Sequence, residues 1–245
     1  MMYTIGIEAG NSRIKLGLFK NGKLKEIYTF PRKGSLIPDI PAGWKKIKPQ
    51  LIGMASVVPS LNSAIKSKFR DSFGKRVMLI NHKNCGIPLK IKNPEKAGID
   101  RMLNCKAAIR IFGSPVIVVD IGTALTVDIA SEKEGFLGGA ILPGAELWVN
   151  SLKNTAMIKD IRPAGVKFPG RDTNEAVFGG LKYGMEGAVN NILDISFRRR
   201  PSAVLVLTGG GSGILKNRIR HGKKVRRHLT MEGIGMVLQE TADKF

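Results

Sequence analysis

The sequence predicts an α/β protein built from two similar domains. Three observations carry this. An acidic, glycine-containing hairpin near the start returns in mid-chain. Strand-like and helix-like segments alternate around both copies. The chain has 245 residues, enough for two packed units.

The first copy is "IGIEAGNSRIKLGLFKNGKL" (Ile5–Leu24), and the second is "VIVVDIGTALTVDIASEKEGFLGGAI". Aligning Glu8 with Asp120 sets Gly10 on Gly122, Asn11 on Thr123 and Ser12 on Ala124. An apolar run precedes each acid, Tyr3–Ile7 and Val116–Val119. Alternating residues follow, Arg13–Phe19 and Leu125–Ala130. Turns at Asn21-Gly22 and near Glu134-Gly135 lead into a third extended run.

Leu51–Val58 reads as a buried strand, followed by a helix that opens at Pro59. "RVMLI" is a further strand, and Met102–Ile111 reads as a helix. In the second half, helical spacing runs over Thr173–Ile195. Ala203–Gly210 is a strand entering a glycine turn, and Leu229–Asp243 closes the chain as a helix. The expected domains are residues 1–112 and 113–245, meeting at a cleft that the glycine turns face.

Composition narrows the class. An apolar content of 43% and a charged content of 24% belong to a soluble globular chain. No apolar run is long enough to span a bilayer. Glu8, Asn11, Arg13 and Lys15 interrupt any signal-peptide core. Cys85 and Cys105 form no CxxC pair and no disulfide framework, so a cytoplasmic location is expected. The formal net charge is +21. A generally basic surface explains it most simply, and an anionic small substrate comes second. Nucleic acid ranks last, despite "KNRIRHGKKVRRH" (Lys216–His228) and Arg198-Arg199-Arg200, because aromatics are only 6% and no stacking platform is evident.

The hairpins carry the chemistry. A strand–Gly–strand turn can aim backbone N–H groups at a phosphate, with Asn, Ser or Thr adding a donor. An acid at the strand end can orient hydrated Mg²⁺, which takes one or two carboxylates plus waters and phosphates. Either each glycine merely makes a turn, or the paired hairpins with "TGGGSG" (Thr208–Gly213) bind a nucleotide. Two copies in register favour the nucleotide.

In order and spacing, the motifs resemble the type III pantothenate kinases of the acetate kinase/sugar kinase/Hsp70/actin superfamily. Glu8-Ala9-Gly10-Asn11-Ser12 is similar to the first phosphate motif of the family, and "DIGTALTVD" (Asp120–Asp128) to the second. "ASVVP" (Ala55–Pro59), "NPEKAGIDR" (Asn93–Arg101) followed by Asn104, "GGAILPG" (Gly138–Gly144), "GRDTNEAVFGGLKYG" (Gly170–Gly184) and "TGG" (Thr208–Gly210) complete the likeness. The resemblance implies two ribonuclease-H-like, actin-like domains, each a mixed sheet flanked by helices. It implies ATP-dependent phosphorylation of pantothenate, the first step of coenzyme A biosynthesis. It also implies Mg²⁺, a monovalent cation (K⁺ or NH₄⁺), and a homodimer.

The site residues follow from the same resemblance. Asp100 is the catalytic base, with a helix N-cap as the alternative. Arg101 pairs with the substrate carboxylate, the alternative being a surface salt bridge. Gly98, Ile99 and Thr173 complete the substrate side, and Thr173 too can be read as an N-cap. Glu8, Gly10, Asn11, Ser12, Arg13 and Lys15 form the first phosphate site. Gly122, Thr123, Thr208, Gly209 and Gly210 serve ATP in the second half. Glu8 takes Mg²⁺ and Asp120 the monovalent cation. Three positions depart from the family pattern: Glu8 replaces Asp, Ile91 replaces Tyr and Asp172 replaces Asn. They motivate a second reading, a kinase-like binding or regulatory protein with weakened catalysis. His82, His221 and His228 lack metal-ligand spacing, and Trp44 and Trp148 read as packing residues.

Overall fold

Asn21 and Gly22 adopt positive φ angles of 49° and 71°, the backbone a tight two-residue hairpin requires. They join β2 (Arg13–Lys20) to β3 (Lys23–Pro31), and β2 pairs antiparallel with β1 (Tyr3–Ala9). A computed structural model describes residues 2–153, 161–215 and 217–244. Lys216, the first residue of the long basic run, lies outside them.

β4 (Leu51–Ser56) pairs parallel with β1, and β5 (Val77–Ile80) with β4, giving the order β3-β2-β1-β4-β5. α1 (Asn62–Phe73) follows β4, and α2 (Ile99–Phe112) follows β5. The second sheet repeats the plan. β6 (Val116–Ile121) pairs antiparallel with β7 (Ala124–Ser131), and β8 (Gly135–Pro143) lies beside β7. After α3 (Ala145–Lys153) and α4 (Thr173–Arg199) comes β9 (Val204–Thr208). A single turn, α5 (Ser212–Leu215), precedes β10 (Lys223–Val225), and the order is β10-β9-β6-β7-β8. α6 (Leu229–Ala242) ends the chain. The sequence reading missed α3, α5 and β10.

The repeat is offset by one residue across its turn. Ile5, Ile7 and Ala9 of the first core correspond to Ile117, Val119 and Ile121, an offset of 112. Beyond the turn, Ile14 and Leu16 correspond to Leu125 and Val127, an offset of 111. Side chains alternate faces along a strand, so one deleted residue is needed to keep both sets inward. α1 covers the first core with Ile65 and Phe69, and α4 covers the second with Met185, Val189 and Leu193.

Two compact units result. One contains residues 1–111, 132–136 and 228–245, and the other contains 112–131 and 137–227. The expected division at 112/113 therefore differs in two segments, the larger being α6. α6 packs on β1 and β4 because the first sheet leaves room for it. Gly17, Gly6 and Gly53 lie in register across β2, β1 and β4. A Cβ at these positions would come within 2.6–2.9 Å of Met231, Ile234 or Leu238. Each large side chain buried in that row contributes about 1.5–3 kcal/mol.

An ion pair fixes the far end of α6. Lys106, 8% exposed, sets its Nζ 2.8 Å from both carboxylate oxygens of Glu240 and 2.9 Å from the Gly86 carbonyl. Removing the acid leaves a buried ammonium with a single carbonyl. Glu240→Ala should cost about 1–3 kcal/mol in urea unfolding, and Glu240→Gln less, since an amide still accepts a hydrogen bond. Equal stability of parent and Glu240→Ala would show that the pair adds nothing.

Candidate active site

Glu8 is the last residue but one of β1, directly across from Lys15 on β2. Lys15 Nζ donates to Glu8 Oε1 at 2.8 Å, with the two side chains only 19% and 15% exposed. The second carboxylate oxygen, Oε2, is buried and accepts no hydrogen bond. Lys15, expected at the phosphates, is thus engaged with the acid. At the equivalent place in β7 stands Thr126, opposite Asp120. A small pocket brings Glu8 together with Gly10, Ser56, Ile99 and Asp100. Among the described residues no three acids, histidines or cysteines cluster as a metal cage. One free carboxylate oxygen fits an ion that keeps most of its water and phosphate ligands, as Mg²⁺ does.

The turn at Gly10 is closed by its N–H donating to the Arg13 carbonyl at 2.9 Å. The turn at Gly122 is closed by its N–H donating to the Ala124 carbonyl at 3.0 Å. Neither glycine has a positive φ. An added Cβ would lie 3.2 Å from an oxygen at Gly10 and 3.6 Å at Gly122, so the protein's own packing tolerates it or nearly so. Bare backbone at both turns suits close approach by a ligand. Asn11, Ser12 and Arg13 are exposed, and the carbonyls of Asn11 and Ser12 accept hydrogen bonds from Arg32.

Asp100 is the second residue of α2, not the residue before it. The N-cap alternative gives way to a position inside the first turn, where the helix dipole favours a carboxylate. Its Oδ1 accepts the Arg101 N–H at 3.0 Å. A Cβ at Gly98 would sit 2.5 Å from that Oδ1, so Gly98 makes room for the aspartate itself. Ile99 is 7% exposed and anchors the helix start in the core while edging the pocket. Arg101 lies over the Phe136 ring, 5.5 Å from its centroid. Ser56 belongs to the ASVVP segment, whereas no sequence signal singled out Phe136.

In the second unit, Asp120 lies between Thr126 on β7 and Thr208 on β9. The Thr208 hydroxyl is within 3.5 Å of the Arg227 carbonyl. Gly209 has φ +87°, and a Cβ there would lie 2.4 Å from Asp120 Oδ1. The glycine turn is thereby pressed onto the acid, with exposed Gly210 next along the chain. Thr123 passes its carbonyl to the Gly144 N–H at 3.0 Å. Thr173 opens α4, and its N-cap is Asp172, which accepts the Glu175 N–H at 2.8 Å. Glu175 in turn accepts the Arg171 N–H at 2.9 Å. That backbone donor, then Lys167, holds the Glu175 carboxyl below the usual carboxylate range. Asp172 in place of Asn therefore keeps the cap, since both residues cap equally well.

Twin five-stranded sheets of one topology, each with a hairpin ending in an acid and a glycine, define a two-domain α/β protein of the actin-like fold class. Related folds agree. A protein from Campylobacter jejuni assigned to the Baf family of transcriptional activators superposes with a TM-score of 0.62 at 22% identity, covering 98% of this chain and 99% of that one. The activator of 2-hydroxyisocaproyl-CoA dehydratase from Clostridium difficile, with bound ADPNP, gives 0.58 at 12% identity, over 99% and 96%.

The family model of type III pantothenate kinase matches residues 4–194, and the chain belongs to that family. Type III pantothenate kinase of Persephonella marina is 32% identical over 94% of this chain and 96% of its own length. That of Moorella thermoacetica is 30% identical over 96% and 98%.

Proposed function

We propose that this kinase transfers the γ-phosphoryl group of ATP to the primary hydroxyl of pantothenate, giving 4′-phosphopantothenate for coenzyme A synthesis. Beside the family match, one observation supports the reading most: Asp100, Glu8 and Gly10 border a single pocket. Asp100 accepts the hydroxyl proton as the oxygen attacks phosphorus and the bond to the ADP oxygen breaks. The step depends on positioning and charge stabilisation. Gly98 and Ile99 hold Asp100 in place. Arg101 and Thr173 take the pantothenate carboxylate and its polar arm. The first hairpin, Gly10–Arg13, and the second, Gly122–Thr123 with Thr208–Gly210, supply donors to ATP, while Lys15 holds Glu8.

Glu8 is the residue that would hold Mg²⁺, through Oε2, and Asp120 the one for K⁺ or NH₄⁺. Bound Mg²⁺ neutralises phosphate charge and screens it from the attacking oxygen. A homodimer and a cytoplasmic location belong to the same proposal. No helix among the described residues is long and apolar enough to cross a membrane.

The deciding experiment is ADP release with and without pantothenate, in Mg²⁺ and K⁺. Pantothenate-dependent release is the expected result. ATP binding without such release would instead favour a kinase-like binding or regulatory protein. One feature favours that second reading: Lys15 already occupies one oxygen of Glu8.

Glu8 offers a separate test. Glu8→Ala should raise the Mg²⁺ concentration for half-maximal turnover and lower the rate on the order of 10²-fold, as a misplaced metal ligand does. Calorimetry of Mg²⁺ binding to the ATP complex gives a second readout. A Glu8→Ala protein with the parent's Mg²⁺ dependence would remove the metal role from the first hairpin.

A further inference from the structure

The positive charge is less evenly spread than its total suggests. Between Ile195 and Arg227 there is no Asp or Glu, while there are ten Lys and Arg. Nearly half of the +21 net charge therefore lies in one short stretch of the second unit. A uniformly basic surface does not produce such a segment.

The fold draws the two basic runs together. Arg198 and Arg199 end α4, while Arg220 precedes β10, which opens with Lys223 and Lys224. Asp194, one turn back on α4, links them: it accepts from Arg220 at 2.8 Å and meets His221 Nε2 at 2.7 Å. The His221 ring stacks on Phe197, with centroids 4.4 Å apart and planes 24° from parallel. Between these elements lies an open groove of about 580 Å³. Its wall is apolar, with Phe197, Val204 and Leu205, and its other side carries His221, Lys223 and Lys224. Lys223 is tied to the Ile219 carbonyl at 3.0 Å. Arg198, Arg199, Arg220 and Lys224 are exposed.

The groove sits at the start of β9, where Val204 and Leu205 line it, whereas the glycine turn of the proposed ATP site follows Thr208 at the other end of that strand. Three residues of strand separate them by about 10 Å. β10 is also the edge of its sheet, but lysines on an edge oppose strand addition, which argues against a docked peptide strand. Aromatic rings beside exposed cations are what bind a chain of flat bases joined by phosphates.

We propose that this groove is a binding site for single-stranded nucleic acid, with phosphates on Arg199 and Lys224 and a base against the His221 edge of the stack. The site is independent of the phosphotransfer reading.

The test is fluorescence anisotropy of a labelled oligothymidylate on the full chain, with saturating MgATP present throughout so that any nucleotide site is occupied. The parent should bind, with affinity falling steeply as salt rises. Arg199→Glu/Lys224→Glu should lose about tenfold or more, and its log–log salt slope should flatten by about 1.4, two phosphates' worth for a single strand. Lys45→Glu/Lys46→Glu makes the same charge change at exposed positions of the first unit and should lose less than about threefold. His221→Ala should weaken binding without changing the slope. No binding by the parent, or equal losses in both double variants, overturns the site. Displacement of the oligonucleotide by polyglutamate at equal charge also overturns it, in favour of an acidic polypeptide.

Discussion

Asp100→Asn is expected to lower pantothenate-dependent ADP release by about 10²- to 10⁴-fold while leaving ATP affinity near the parent value. The amide keeps the size of the carboxyl and can still accept the Arg101 N–H that Oδ1 now accepts. Its place in the first turn of α2 is kept, at a cost of about 0.3–1 kcal/mol for the lost favourable charge at the helix start. The capacity to take a proton is lost, together with a charge whose effect on stability is small. A stability measurement separates the outcomes. Near-parent stability with lost turnover assigns Asp100 as the base. Parent-like turnover would leave it a helix-start residue and move the base elsewhere.

Gly233→Ala in α6 should destabilise the protein, although helix propensity alone favours it by about 1 kcal/mol. The contact decides. A Cβ at Gly233 would lie 2.4 Å from the backbone carbonyl oxygen of Leu103 on α2. A carbonyl in mid-helix cannot turn aside as a side chain can, so the two helices must separate. Overpacking of this kind costs about 1–3 kcal/mol, and Gly233→Val should cost more. The same helix carries Asp100, and the Thr230 hydroxyl ties it to α6 through Asn104 at 2.8 Å. Separation should therefore lower the rate as well, by on the order of 10²-fold for a 1 Å displacement of the base. Gly187→Ala in α4 is the contrast. Its Cβ would meet nothing within 4 Å, so propensity prevails and stability should rise by up to about 1 kcal/mol. Denaturant unfolding of the two variants with opposite signs supports the account. Stabilisation by both would show that α2 and α6 have slack between them.

Much of the candidate site was legible because the proposed chemistry is local. Glu8, Gly10 and Asn11 fall within one turn, as do Asp120, Gly122 and Thr123, and a repeated turn is visible without knowing the fold. Gly98 and Asp100 were legible by the same adjacency, although the reason for Gly98 was not: it clears space for the Asp100 carboxylate. The pairing of Lys15 with Glu8 follows from strand register, which the exposed turn does not fix. The cation–π contact of Arg101 with Phe136 joins segments with no shared pattern.

The sequence by itself determined the repeat, most strands and helices, and the residues at each turn, because alternation and glycine placement act over a few residues. Tertiary structure alone decided the home of α6. Its apolar face reads the same whichever sheet it covers. Only when β2, β1 and β4 align do Gly17, Gly6 and Gly53 become one row, deep enough for Met231, Ile234 and Leu238. The same holds for the deleted residue in the second hairpin. An offset of 112 or 111 is equally plausible along the chain, and the requirement that Leu125 and Val127 face the core selects the second.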